Sequence, residues 1–280
     1  MRFAWRRVVF GGSALLALSH AGVARSEADS PVTLAAIAVT SPASVVAAPA
    51  GSGCGEGMIE VEGDYCPALP EQKCLRWASA TTKGRCAEFA PSAPCAKPSI
   101  HKRFCMDRFE YPNREHEDPI VMKDWYEARD ACGAIGKRLC TDAEWTLACE
   151  GPEHLPYPYG LSRDATACNI DKFPLNPKPE LLRRHDTRDA EVKRLWQGEP
   201  SGSRDRCKSP YGVMDMTGNV DEWVVNETGK PHRSALKGGY WSWVRGRCRP
   251  TTDGHEEDFR YYQIGFRCCA DTAPQATAAR

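Results

Sequence analysis

The clearest hydrophobic pattern in the chain is a pair of short amphipathic segments, residues 123–135 and 141–151. In both segments apolar residues return every three or four positions, which is the spacing of one face of an α-helix. Thr141 and Glu144 form a capping-box pattern at the start of the second helix, and Gly151 is suited to end it. The inward positions are Trp125, Ala128, Cys132 and Ile135 in the first helix and Trp145, Ala148 and Cys149 in the second.

Strand patterns are shorter and less regular. Residues 58–61 alternate apolar and polar side chains, residues 104–111 are mixed, and residues 264–269 are apolar toward their end. Residues 178–197 carry charge on most sides and predict a solvated excursion from the domain. Together the patterns predict an α+β fold with two short helices, many loops and low regular secondary structure.

The ends of the chain differ in composition from the rest. Residues 1–24 combine early arginines, a short apolar run and small residues, which is the pattern of a signal peptide. The apolar run is too short to span a bilayer comfortably, so we expect no membrane span in the mature chain, although a retained anchor is the alternative. Residues 25–53 predict a flexible Ala/Pro/Ser linker, residues 54–271 the folded domain, and residues 272–280 a loose tail.

Composition restricts the compartment and the partners. The chain has 14 cysteines, an even number that favours disulfide bonds over thiol chemistry. We therefore expect an exported protein of the periplasm, the cell surface or the extracellular space. Lys+Arg and Asp+Glu count 37 each, so no net field favours binding to nucleic acid.

The common catalytic motifs are missing from the sequence. It contains no HExxH, CxxC, GxSxG, P-loop or dinucleotide-binding fingerprint, which argues against the commonest hydrolases, kinases and dehydrogenases. His255 is followed by three acidic residues that could bind a metal, but a solvated acidic loop is the simpler interpretation.

Six sequence blocks occur in a fixed order and carry a family resemblance. They are GKRLCTDAEWTLAC (136–149), YPYG (157–160), CNI (168–170), SPYGVMDMTGNVDEW (209–223), KGGYW (237–241) and QIGFRCCAD (263–271). In these blocks the sequence resembles the formylglycine-generating enzyme family, also called the sulfatase-modifying factor family. GMIEVEGDY (57–65) and RFCMDRFEYPN (103–113) resemble its opening blocks. The resemblance extends from about Gly57 to Asp271, and its specificity lies in the order of the motifs.

The resemblance implies one compact, disulfide-rich domain related in shape to C-type lectins. It also implies that the cysteines of the two helices are joined to the C-terminal part of the chain. On this basis Cys132 pairs with Cys268, and Cys149 pairs with Cys248.

Two cysteines depart from the family pattern, Cys140 in place of a proline and Cys269 directly after Cys268. Adjacent strand residues point to opposite faces, so Cys268 and Cys269 need different partners, and a bond from Cys140 to Cys269 is our hypothesis. We expect the six cysteines between residues 54 and 105 to pair with one another. This leaves Cys168 with Cys207.

A calcium site is implied by the resemblance of residues 214–223 to the family's calcium loop. Calcium prefers six to eight oxygen ligands from carboxylates and backbone carbonyls. Asn169 and Ile170 match the start of a second family site. The alternative, from the residues alone, is a turn in which polar side chains cap the backbone. The ligands carried over to the first site are Asp215, Gly218, Val220 and Glu222.

The copper site of the family's oxidases is where this sequence departs from them. Those oxidases convert a substrate cysteine to formylglycine and hold copper with two cysteines, at the fourth and ninth positions after a Gly–Gly pair. Here these positions are Trp243 and Cys248. Copper(I) selects thiolates, so we expect neither copper nor formylglycine-generating activity. A second alignment makes Cys248 the structural partner of Cys149. We favour this alignment because a free thiol is easily oxidised in an oxidising compartment. Cys248 is therefore a catalytic candidate only if it is unpaired.

Three functions are compatible with these features. The first is a non-oxidase module that binds a peptide, a glycan or a protein partner in a surface groove. The second is an oxidoreductase of the same superfamily with altered chemistry, and the third is a structural or interaction role. Each groove aromatic is also a candidate core residue. The candidate groove residues are Tyr240, Trp241, Trp243, Arg245, Tyr261 and Tyr262.

Overall fold

Three small β-sheets form the framework of residues 53–79 and 85–273, the parts of the chain that the computed structural model describes. The strands are β1 (Met58–Tyr65), β2 (Cys74–Trp77), β3 (Cys86–Phe89), β4 (Ile100–Asp107), β5 (Arg138–Leu139), β6 (Asp221–Val225), β7 (Ser234–Lys237), β8 (Ile264–Phe266) and β9 (Cys268–Asp271). The expected signal peptide lies outside the described residues, as do nearly all of the linker and most of the tail.

The largest sheet joins the beginning and the end of the domain. Its order is β1-β4-β9-β5, and all of its pairs are antiparallel. β1 and β4 pair along their whole length, from Met58 opposite Asp107 to Tyr65 opposite Ile100. A two-stranded sheet contains β2 and β3, and a third sheet has the order β7-β6-β8, in which β6 and β8 run parallel. The first four residues of the central strand β6 are buried, and every residue of β8 is buried although β8 lies at the edge of this sheet.

Two of the helices match the amphipathic segments of the sequence. Helix α1 (Trp125–Ala134) begins at a capping box formed by Asp124 and Glu127, and α2 (Asp142–Glu150) begins at the capping box of Thr141 and Glu144. The inward positions expected in α2 are all fully buried. The expected inward position of Ile135 is wrong, because it lies beyond the last residue of α1, where the chain turns away, and its side chain is exposed.

Residues 178–197 are not a purely solvated excursion. They form α3 (Pro179–Arg183) and α4 (His185–Leu195). Leu182 and Leu195 are buried in a small cluster that also contains Trp241 and Tyr262. A few apolar contacts therefore hold this charged segment to the domain. In the described parts of the chain no helix is long and apolar enough to cross a bilayer.

Seven disulfide bonds include all 14 cysteines of the chain. The four pairs expected from the sequence are present, and the six cysteines between residues 54 and 105 pair with one another. The bonds are Cys54–Cys105, Cys66–Cys95, Cys74–Cys86, Cys132–Cys268, Cys140–Cys269, Cys149–Cys248 and Cys168–Cys207. Two of them join β9 to α1 and to the chain between α1 and α2, and a third joins α2 to Cys248, which precedes β8. They close loops of about 100 residues or more, and such closures restrict the unfolded chain strongly.

A thiol count checks this pairing. We expect no alkylated cysteine when the unreduced protein is denatured and treated with iodoacetamide, and a peptide in which Cys149 is bonded to Cys248, both measured by mass spectrometry. A reduced sample, which should carry 14 alkylated cysteines, is the control. An alkylated Cys248 in the unreduced sample would contradict the bond between Cys149 and Cys248, and Cys248 would again be a candidate thiolate.

Candidate functional site

A pocket of about 450 Å³ opens beside the segment that follows the Gly238–Gly239 turn. Its lining is dominated by guanidinium groups, and we call it the arginine pocket. The lining residues are Arg85, Cys86, Tyr157, Arg163, Trp243, Val244, Arg245 and Arg247. A wider depression of about 630 Å³ nearby has both acidic and basic residues in its wall and no comparable concentration of one charge.

The Gly–Gly turn brings Trp243, Arg245 and Arg247 to this pocket. Gly238 has φ +84°, and a Cβ there would lie 2.9 Å from the carbonyl oxygen of Met216. Gly239 has φ +72°, and a Cβ there would lie 2.8 Å from the backbone nitrogen of Gly246. Only glycine accommodates both the left-handed conformation and these close approaches. The chain can therefore fold back on itself directly after β7.

Of the aromatic residues expected in a groove, Trp243 is the one that lines the pocket, and it is 47% exposed. Placing Trp241 in a groove is wrong. Its side chain is 1% exposed, and its ring lies 5.0 Å from Trp196 and 5.6 Å from Tyr240. Tyr262 is also buried against Trp241. The reason is that α4 and the segment after it pack over this side of the turn. The charge pattern of residues 178–197 did not predict this packing.

Two carboxylates organise the arginines of the pocket. Asp171 accepts hydrogen bonds from Arg163 at 2.7 and 2.8 Å and from Arg85 at 3.1 Å. Burial alone would raise the pKa of Asp171, but these two guanidinium groups hold it below its ordinary value. Asp221 is buried, and it accepts from Arg245 and from the backbone N–H of Gly239. Three of the four guanidinium groups, those of Arg85, Arg163 and Arg245, are therefore fixed in position before any ligand arrives.

Trp243 and Cys248 do not form a copper site. Cys248 is fully buried and bonded to Cys149. The indole nitrogen of Trp243 donates a hydrogen bond to the carbonyl oxygen of Asp171 at 2.8 Å, which fixes the ring at the rim of the pocket. Copper(I) chemistry of this family type needs two free thiolates, and the structure has no free cysteine. The residues present therefore do not fit a copper ion.

The expected calcium loop has left-handed residues at Asp215, Gly218 and Asn219, so it is a tight turn. One carboxylate oxygen of Asp215 accepts the backbone N–H of Gly202 at 2.6 Å, and burial raises the pKa of Asp215 to about 6. The carboxylate of Glu222 is committed to protein partners, because Arg267 and Trp145 donate to it. Of the two expected carboxylate ligands, Asp215 is thus the more available.

Asn169 lies directly against this loop. Its carbonyl oxygen accepts the N–H of Asn219 at 2.9 Å, and a Cβ on Gly218 would lie 2.3 Å from that same oxygen. The side-chain oxygen of Asn169 is buried and has no hydrogen-bond partner among the described residues. A buried oxygen without a donor is an acceptor that a cation can satisfy. The loop around Asp215 and Asn169 is therefore compatible with a calcium ion, with Glu222 the least suited of the expected ligands.

The residues around His255 are not arranged as a metal site. The ring of His255 is stacked on Phe259 with centroids 4.1 Å apart, and Glu257 is paired with Arg233. Within residues 53–79 and 85–273 no group of three or more His, Cys, Asp or Glu side chains is placed to hold a metal ion. Burial lowers the pKa of His255, so the neutral form is favoured at its position.

Sequence reasoning missed most of the pocket. Arg85 lies far from Arg163 and Asp171, which are eight residues apart in the chain between α2 and α3, and none of the three belongs to a motif with a chemical spacing. Arg247 stands next to Cys248, which the sequence suggested as a copper ligand or a disulfide partner. The available signal was the concentration of three positive charges in Arg245–Arg249, and it could not show that two of them meet two more arginines from distant parts of the chain.

Together these features define a disulfide-rich α+β domain whose candidate site is a cationic, tryptophan-containing pocket without thiols. The model of the family described as the sulfatase-modifying factor enzyme 1-like domain matches residues 79–272, and the chain belongs to this family. The resemblance indicated by the order of the motifs is thereby confirmed.

Individual relatives support this assignment. The chain is 29% identical over 165 residues to the inactive C-alpha-formylglycine-generating enzyme 2 of Bos taurus, which covers 55% of this chain and 50% of the relative. It is 26% identical over 191 residues to the formylglycine-generating enzyme of Bos taurus, covering 56% and 45%. The chain thus spans about half the length of these curated relatives. The crystal structure of CarF matches with a TM-score of 0.51 at 16% identity, covering 76% of this chain and 97% of CarF, and this likeness shows the fold alone.

Lys237, directly before the Gly–Gly turn, is a buried amine that is 1% exposed. Its Nζ donates to the carbonyl oxygen of Arg249 at 2.9 Å and to Thr251 Oγ1 at 3.1 Å. Burial lowers the pKa of Lys237 to about 7, although the carboxylates of Asp142 and Glu150 oppose this shift. The free energy of unfolding should therefore change with pH above the pKa of Lys237.

We expect the Lys237→Met variant to lose the part of the pH dependence of unfolding that Lys237 causes. Between pH 7 and 10 the unfolded chain keeps the lysine proton while the folded chain releases it, so wild-type stability rises with pH relative to the variant, by up to about 1.4 kcal/mol per pH unit. Guanidinium unfolding with intact disulfides at pH 6.5 to 9 measures the difference. The exposed Lys193→Met variant is the control and should follow the wild type; a flat difference between wild type and Lys237→Met would refute the assignment.

Proposed function

We propose that this chain is an exported binding module that lacks formylglycine-generating oxidase activity. One observation carries the proposal: Cys248 is bonded to Cys149, and Trp243 stands at the other copper position. The similarity to a relative that is named an inactive C-alpha-formylglycine-generating enzyme supports it. The arginine pocket then takes the place of a thiol centre as the site that meets a ligand.

Export is supported by the disulfide bonds. Seven bonds that include every cysteine form and persist in oxidising compartments, such as the periplasm, the cell surface or the extracellular space. The partner in such a compartment is a peptide, a glycan or another protein.

A structural calcium ion is a further part of this proposal. Asp215 and the unpartnered side-chain oxygen of Asn169 would hold the ion, with backbone carbonyls of Gly218 and Val220. The chemistry of the donors supports this, because both side chains offer hard oxygen atoms, Asp215 from within the tight turn and Asn169 from the segment against it. The ion would hold the segment around Asn169 against the turn. Its role in the proposed module is to stabilise the fold.

The absence of oxidase activity can be measured directly. We expect no formylglycine in a cysteine-containing peptide, as measured by mass spectrometry after incubation with the protein, copper(I) and oxygen and then reduction of any disulfides, because no pair of thiolates is present to hold the metal. An active formylglycine-generating enzyme serves as the positive control. The Trp243→Cys variant should also be inactive, since Cys248 remains bonded to Cys149. Conversion of the peptide by the wild type above background would overturn the proposed function.

Calcium binding predicts a thermal shift. Millimolar calcium should raise the Tm of the wild type by several degrees and EGTA should reverse the gain, because a ligand that binds only the folded state stabilises it by mass action. The Asp215→Asn variant should lose most of this gain. Asp118→Asn, which removes an exposed carboxylate elsewhere, is the matched control and should keep it. Equal shifts in both variants, or the same shift with magnesium, would count against the site.

A further inference from the structure

Positive charge in the arginine pocket exceeds the negative charge that faces it. Four guanidinium groups line the pocket, and their ion-pair partners in the described chain are the two carboxylates Asp171 and Asp221. Glu71 influences Arg247 through space, but it is exposed and makes no ion pair with it in the described residues. The pocket therefore has an excess of about two positive charges.

Arg247 carries much of this excess. Its guanidinium lies over the ring of Phe89, 5.0 Å from the centroid, and no carboxylate is within ion-pair distance of it in the parts of the chain that are described. Burial lowers the pKa of Arg247, which is the effect of removing a charge from water without pairing it. A partly buried cation without an anion is costly, and an incoming anion would offset that cost.

Arg245 adds a donor that lacks an acceptor. One end of its guanidinium is held by Asp221, while its Nε is buried and has no hydrogen-bond partner among the described residues. Buried donors are nearly always satisfied in folded proteins, so an unsatisfied one beside a pocket indicates a missing acceptor. Arg245 thus lacks an acceptor and Arg247 lacks an anion, and an anionic ligand would supply both.

Apolar side chains stand next to these cations. Trp243 is 47% and Phe173 is 70% exposed, and their rings meet edge to face with centroids 5.2 Å apart. The guanidinium of Arg85 lies over the ring of Trp243 at 5.1 Å. One face of the indole is therefore covered, which leaves less room for a sugar ring to stack than for an apolar side chain to pack at the edge.

We propose that the arginine pocket binds a carboxylate-bearing peptide segment of a partner protein. A carboxylate of the segment would bind Arg247 and Arg245, and a neighbouring apolar side chain would contact Trp243 and Phe173. The arginines of the pocket already bind a carboxylate of the protein itself, since Arg163 donates two hydrogen bonds to Asp171. We therefore expect the ligand's anion to be a carboxylate as well. This inference rests on the proposed function, because it names the ligand class of the same site.

Fluorescence anisotropy with a matched pair of labelled peptides tests the inference. One peptide has a phenylalanine flanked by glutamates, and the other has glutamine at each glutamate position. We expect the wild type to bind the glutamate peptide and not the glutamine peptide, and its affinity to fall as salt is raised. Arg247→Gln should weaken binding about ten-fold or more, since it removes one partner of a desolvated charge pair.

Matched variants separate the pocket from general charge. Arg114→Gln removes one exposed positive charge that is paired with Glu117, and its affinity should stay within about two-fold of the wild type, the scale of an exposed ion pair. Trp243→Ala should weaken binding of the glutamate peptide and leave its salt dependence in place. Circular dichroism and the thiol count check that each variant is folded.

Three results would overturn the ligand assignment: equal binding of both peptides, equal loss in Arg247→Gln and Arg114→Gln, or tighter binding of a sulfated oligosaccharide that is lost in Arg247→Gln. The last result would make the pocket a site for an anionic glycan. None of them would restore oxidase activity, which the cysteine-peptide assay decides separately. Failure of the ligand assignment and failure of the proposed function are therefore distinguishable.

Discussion

The buried pair of Arg267 and Glu222 is the interaction on which the rest of the fold depends. Both side chains are 1% exposed, and Arg267 donates to both carboxylate oxygens at 2.6 and 2.7 Å. Its remaining N–H groups reach the carbonyl oxygens of Asp107, Arg108 and Met214, so all five of its donors are used. One side chain thereby connects the junction of β8 and β9 to β4, to β6 and to the turn before β6. Such a pair is stable only when it is fully satisfied, because removing one partner leaves a buried charge.

The position of the arginine pocket follows from this constraint. Glu222 is fixed in β6, opposite Lys237 of β7, and the chain leaving β7 must turn at once at Gly238 and Gly239. That turn carries the segment of Trp243 to Arg247 to the surface. In the oxidases that this sequence resembles, the same segment carries the copper thiolates. Here a disulfide bond and an indole occupy those positions, and the chemical character of the site changes from a soft metal centre to fixed positive charge.

Local patterns predicted the elements whose stability is local. The capping box of Thr141 and Glu144 and the apolar stripe of α2 depend on residues three or four positions apart, and the structure has both. The errors concern residues whose environment is made by distant segments. Trp241 is covered by α4, which the charge pattern of residues 178–197 did not indicate, and Ile135 is exposed because α1 ends one residue earlier.

By itself the sequence determined the family, the two main helices and the replacement of one copper cysteine by Trp243, because each of these depends on residue identity, order or short spacing. The pairing of Cys248 with Cys149 was decided by the tertiary structure. Only the tertiary structure decided where the arginines meet, that Asp171 and Asp221 hold three of them, and that Arg247 and the Nε of Arg245 are left without acceptors among the described residues. Charge balance in a pocket is a property of segments brought together from across the chain. No pattern along the chain encodes it.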